Sequence, residues 1–177
     1  MTTTTRRVDY DQIAHLYDEP GRDFAPDADL LRFVRRRAAA ERSFLRILDT
    51  GCGTGKQLTA DRRRLPDLLM VGLDLFHGML EQARQRCPTV DWVQGDSTHP
   101  PFPDASFDYI TNQFSYPHVD DKLRLIAEMY RLLKPGGRFA ITNIDPWSMR
   151  DWIIYRYFPA ARTRDLAENA LAHIRTR

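Results

Sequence analysis

Only three of the 26 basic residues are lysines (Lys56, Lys122, Lys134), only two residues are cysteines, and no run of about 18 apolar residues occurs among the 177. Cys52 and Cys87 are too few for a disulfide framework and form no CxxC pair, so neither a disulfide scaffold nor a cysteine-held metal is expected. The N-terminal MTTTTRRVDYDQ has no apolar h-region, and with no candidate span the expectation is a soluble, cytoplasmic protein without a membrane partner. A net charge of +2, and no basic stripe with interleaved aromatics, argues against wide phosphate neutralisation and hence against nucleic acid as partner. The arginine triplets Arg35–Arg37 and Arg62–Arg64 read as solvated helix faces.

What is present reads as one domain of alternating strands and helices. A helical preface covers residues 1–41, its pattern interrupted at EPGRDFAPDAD. Apolar runs FLRILDT and LLMVGLD, then VDWVQ, FDYITNQ and RFAITNI, supply five strands. Helices are expected over Lys56–Arg64, over His77–Arg86 ahead of Pro88, and over DKLRLIAEMYRLLK. In the last, Leu123, Ile126, Ala127, Tyr130 and Leu133 share an apolar face and PGG is the stop. With right-handed crossovers these elements make a doubly wound α/β sheet.

The stretch ILDTGCGTGKQL places Gly51, Gly53 and Gly55 after the first strand. A P-loop would need glycine where Thr50 stands and Ser or Thr where Gln57 stands, so a triphosphate is not its ligand, and Lys56 is expected to face solvent. Asp49, before the glycines, suits a ligand with an ammonium group better than a pyrophosphate. Asp74 ends the second strand, nineteen residues after Gly55, where a carboxylate can accept from both hydroxyls of a ribose. Asp96 and Ser97 end the third strand, where a carboxylate and neighbouring amides can meet an adenine edge.

LDTGCGTG, VGLDLFHGML, GDSTHPPFPDASFDYI and LLKPGGRFAI, in this order and spacing, resemble the class I S-adenosylmethionine-dependent methyltransferases of the small-molecule type. The resemblance covers roughly residues 8–160. It implies a Rossmann-like, mostly parallel sheet over 42–160 behind an N-terminal helical cap, with a terminal helix over 161–177. It implies S-adenosyl-L-methionine as cofactor, held by Asp49, Gly51, Gly53 and Gly55, by Asp74 and Leu75 at the ribose, by Met79, Asp96 and Ser97 at the adenine, and by Asn112. It implies no metal.

Methyl transfer to a small-molecule substrate would then be a matter of alignment and water exclusion, with a base where the acceptor is a hydroxyl or ammonium. His118 is the candidate base. Tyr10, Tyr17, Phe114, Tyr116, Asp145 and Trp147 are the candidate substrate wall. Relatives of this kind continue into an antiparallel hairpin that these residues do not supply, so one flank of the fifth strand is expected to be covered by the terminal helix, by a second subunit in a homodimer, or by residues lost in a truncated form. A truncated or non-catalytic S-adenosylmethionine-binding protein is therefore the alternative reading, and an NAD-dependent oxidoreductase is the third, opposed by the crowded GxGxG.

Overall fold

The computed structural model describes residues 9–18, 24–37 and 45–143. Five strands, β1 (Arg46–Thr50), β2 (Leu69–Asp74), β3 (Asp91–Gln94), β4 (Phe107–Gln113) and β5 (Leu133–Thr142), form one sheet in the order β3-β2-β1-β4-β5. Every pairing is parallel. The helices are α1 (Ala28–Arg35), α2 (Lys56–Arg64), α3 (His77–Arg86) and α4 (Lys122–Leu132), with short 3-10 turns at Ala14–Leu16 and Tyr116–His118. The chain winds outward from β1 to β3, then returns to the far side of β1 with β4. This reversal opens a crevice at the carboxyl ends of β1 and β4, the place where open α/β sheets receive ligands.

Alternation along the strands, shifted in β4 by an irregularity between Phe107 and Tyr109, sorts the core into two layers. Ile47, Met70 and Tyr109 face Leu30, Phe33, Leu58 and Leu80 from α1, α2 and α3. Leu48, Val71, Phe107 and Ile110 face Leu125, Met129 and Leu132 of α4. Burying each such leucine contributes about 2 kcal/mol, so the two layers fix the sheet between its helices.

Three sequence expectations are corrected here. α4 buries Leu125, Glu128, Met129 and Leu132, while Leu123 and Tyr130 stand 76% and 82% exposed and Ile126 and Ala127 lie on the same open side. The apolar spacing pointed to the wrong face because Glu128 is a core-side residue whose charge is met by Arg124 and Arg131, each 2.7 Å away. The fifth strand also begins earlier than expected. Leu133 already pairs with Phe107, and PGG forms an irregularity inside the strand before Arg138 pairs with Tyr109, Gly136 taking φ +74°. Arg62 leaves its expected solvated face to donate to the carbonyls of Pro66, Leu68 and Thr89. Asp145, Trp147 and the terminal helix over 161–177 lie outside the described residues.

Candidate functional site

The turn after β1 has φ +70° at Gly51, +55° at Gly53 and +73° at Gly55, a left-handed conformation that L side chains resist. Two of these glycines also answer to packing. A Cβ on Gly51 would lie 2.2 Å from Ser115 Oγ, and one on Gly55 would lie 2.5 Å from Trp92 Cη2. Gly53 differs, because a Cβ there would meet nothing within 4 Å. Its backbone therefore faces open space, while the Gly51 and Cys52 amides donate to Leu73 O and tie the turn to the end of β2.

That space is a cleft of about 710 Å³, counting the part open to solvent. It is within the size range of small-molecule sites. Gly51, Gly53, Asp74, Leu75, Met79, Asp96 and Ser97 line it, and so do Tyr10, Tyr17, Phe114 and His118. Asp74 is its most constrained acid. Oδ2 accepts the Gly53 N–H at 2.8 Å and Oδ1 accepts the Phe76 N–H at 3.0 Å. Burial pushes the Asp74 carboxyl above its ordinary value, and the N–H groups of Phe76, Gly53 and Leu75 pull against that shift. Each oxygen keeps a further lone pair for a ligand. Asp96 shapes the next loop, its Oδ1 accepting the Thr98 N–H and Oγ–H, both at 2.8 Å.

Four residues chosen from the sequence do not line the cleft. Asp49 is 2% exposed inside the sheet, and its Oδ1 has no hydrogen-bond partner among the described residues. Burial first, then the neighbouring Asp61, Asp74 and Asp27, raise its carboxyl well above the usual range. Asn112 is fully buried and braces the turn, its Nδ2 donating to Thr50 O, Thr50 Oγ1 and Ser115 Oγ at 2.7 to 3.0 Å. Gly55 packs on Trp92, and Tyr116 is 4% exposed in the core layer against α4. The cleft wall also includes Phe76, Gln113, Ser115 and Val119, which sequence reasoning missed. Phe76, Gln113 and Ser115 sit within two residues of a strand end, which is the signal that could have found them.

The preface closes one side. Tyr10 packs its ring on Phe76 at 5.2 Å and on His118 at 5.8 Å, with its hydroxyl 3.5 Å from His118 Nε2. Tyr17 meets Tyr10 edge-on at 5.8 Å; burial, then the Asp74 and Asp18 charges, raise its phenol. Lys56 does not face open solvent as expected: it pairs with Asp18 at 3.2 Å and lies 5.9 Å from the Phe24 ring.

A five-stranded parallel, doubly wound sheet with a glycine turn after β1 and a carboxylate at the end of β2 defines a Rossmann-like protein. Residues 48–141, more than half of the chain, match the methyltransferase domain family, and the chain belongs to that family. It is 37% identical to the demethylmenaquinone methyltransferase of Deinococcus radiodurans over 138 residues, covering 69% of this chain and 57% of that protein. It is 34% identical to the demethylmenaquinone methyltransferase of Thermus thermophilus, covering 77% and 64%. The chain thus spans less than two thirds of the length of these curated relatives. The fold is also that of a SAM dependent methyltransferase from Aquifex aeolicus, with TM-score 0.63 at 22% identity over 77% of this chain and 73% of that one.

Proposed function

We propose that the chain binds S-adenosylmethionine in this cleft and transfers its methyl group to a small-molecule acceptor. The observation that carries the reading is the pairing of Gly53 and Asp74: a backbone with open space above it, next to a buried carboxylate already oriented by two main-chain amides. The residues present fit the cofactor. Asp74 has the lone pairs for two ribose hydroxyls, Asp96 and Ser97 offer polar groups for an adenine edge, and the partnerless Oδ1 of Asp49, buried behind the turn, is an acceptor that an ordered water would satisfy. The cofactor supplies a methyl carbon already activated by its positive sulfur.

The chain's own task is to align the acceptor and exclude water. Tyr10, Tyr17, Phe76 and Phe114 give the acceptor side an aromatic collar, which suits a flat ring. The relatives' name, demethylmenaquinone methyltransferase, supports an aromatic acceptor of that kind. Where the acceptor is a hydroxyl, His118 takes its proton.

Calorimetric titration with S-adenosylhomocysteine tests the binding, with micromolar affinity expected; no heat and no thermal stabilisation would overturn the reading. Labelled methyl from S-adenosylmethionine should then appear on a reduced demethylated naphthoquinone, and binding without any transfer would leave a binding protein in place of an enzyme.

A further inference from the structure

The segment Asp9–Asp18 is fastened at both ends of α3. At the first turn, Asp11 Oδ1 accepts the Gly78 N–H at 2.6 Å. Phe76, the N-cap of α3, offers no side-chain cap, so a carboxylate from 67 residues earlier takes that place. Its negative charge also suits the positive end of the helix. The fit is close: a Cβ on Gly78 would lie 3.2 Å from both Asp11 Oδ1 and Ala14 Cβ.

At the other end, Arg86, the last residue of α3, donates to Asp18 Oδ2 and to the Thr54 carbonyl of the glycine turn. Asp18 Oδ1 receives the Thr54 hydroxyl at 2.8 Å and lies 3.2 Å from Lys56 Nζ at the start of α2. Burial pushes the Asp18 carboxyl up, but the hydrogen bonds from Arg86 and Thr54, the Arg86 charge and the Lys56 bond outweigh it and hold it below the ordinary range. Each of the two acids is next in sequence to a tyrosine of the cleft wall, Tyr10 beside Asp11 and Tyr17 beside Asp18. Tyr10 in turn touches Phe76 after β2 and His118 at the 3-10 turn after β4, so it spans the two lips of the cleft.

We propose that Asp11 and Asp18 are positioning residues for the nucleoside cofactor: they pin Tyr10 and Tyr17 to the two ends of α3 as a strap across the cleft, and the strap lifts when the ligand exchanges. The inference rests on the cofactor reading above. It makes ligand release depend on contacts outside the ligand's own shell, chiefly an ion-pair cluster.

The test is the dissociation rate of S-adenosylhomocysteine from the full chain, measured by displacement in stopped flow for wild type, Asp18→Asn, Gly78→Ala and, as control, Asp29→Asn at the exposed Arg32 pair. Asp18→Asn is expected to release about tenfold faster, equivalent to about 1.4 kcal/mol. Added salt should speed wild-type release and affect Asp18→Asn less. Gly78→Ala favours the helix by propensity yet crowds the strap, so faster release with an unchanged or higher melting temperature separates strap lifting from general unfolding. Asp29→Asn should match wild type. Wild-type binding with unchanged release in both Asp18→Asn and Gly78→Ala overturns the inference alone. Absence of wild-type binding overturns the cofactor reading and this inference with it.

Discussion

On the β1–β2–β3 side of the cleft, polar atoms are held by main chain: Asp74 by the amides of Gly53 and Phe76, Asp96 by the amide of Thr98, the glycine turn by Leu73 O. On the β4 side the wall is made of side chains, and several are loosely covered. Phe114 is 48% exposed at φ +59°, and His118 is exposed. Backbone contacts survive most substitutions, whereas side-chain walls change with every one. On the proposed reading the first side suits a cofactor of fixed shape, and the second an acceptor whose shape the side chains select.

The contrast breaks most sharply at Asp74. Asp74→Ala removes the proposed ribose acceptor and strands two amides, so S-adenosylhomocysteine affinity should fall about a thousandfold, or about 4 kcal/mol, by calorimetry. The two glycines Gly55 and Gly53 separate fold from site. Gly55→Ala adds a Cβ 2.5 Å from Trp92 and 3.0 Å from Ala83 Cβ at φ +73°, and should cost about 3 kcal/mol in urea unfolding. Gly53→Ala should cost only about 1 kcal/mol of stability and still abolish cofactor binding, because its Cβ enters the cleft. On the β4 side, His118→Ala should lower turnover about a hundredfold for a hydroxyl acceptor and leave S-adenosylhomocysteine affinity nearly unchanged.

The smallest effect lies beneath the cofactor side. Asp61 is buried, accepts the Asp27 N–H at 2.7 Å and has its carboxyl raised to about 6 by burial, against the pull of the Asp27 N–H and Gln57. A raised folded pKa means the folded state keeps a proton that the unfolded chain has lost. Stability is therefore greatest below the ordinary value of 3.8, falls as pH rises toward about 6, and is flat above. Asp61→Asn should remove that slope and add about 2 kcal/mol at neutral pH, read by urea unfolding across the pH range.

Much of the frame was legible in the residues. The expected helices Lys56–Arg64 and His77–Arg86 match α2 and α3, because a glycine turn opens one and Pro88 closes the other. The strand FDYITNQ matches β4 for a similar reason, with a Pro-rich loop before it. What escaped were relations between distant side chains. Glu128 turned the expected face of α4 because two arginines met its charge, and Lys56 turned inward because Asp18 stands 38 residues earlier in sequence but beside it in space. Asp49 and Asn112 carry the residue types of a binding site, yet burial makes the first a sealed acid and the second a brace for Thr50. Composition and spacing carry no record of such pairings, which depend on how the sheet folds the chain back on itself.

The cap that Asp11 places on α3 has a consequence for local unfolding. The Gly78 amide lies in the first turn of α3, where the helix itself supplies no acceptor, so its protection comes from the carboxylate of the strap and is lost when the strap opens. Deuterium uptake at Gly78 then counts how often the strap leaves its seat, and a single backbone amide becomes a built-in gauge of access to the cleft.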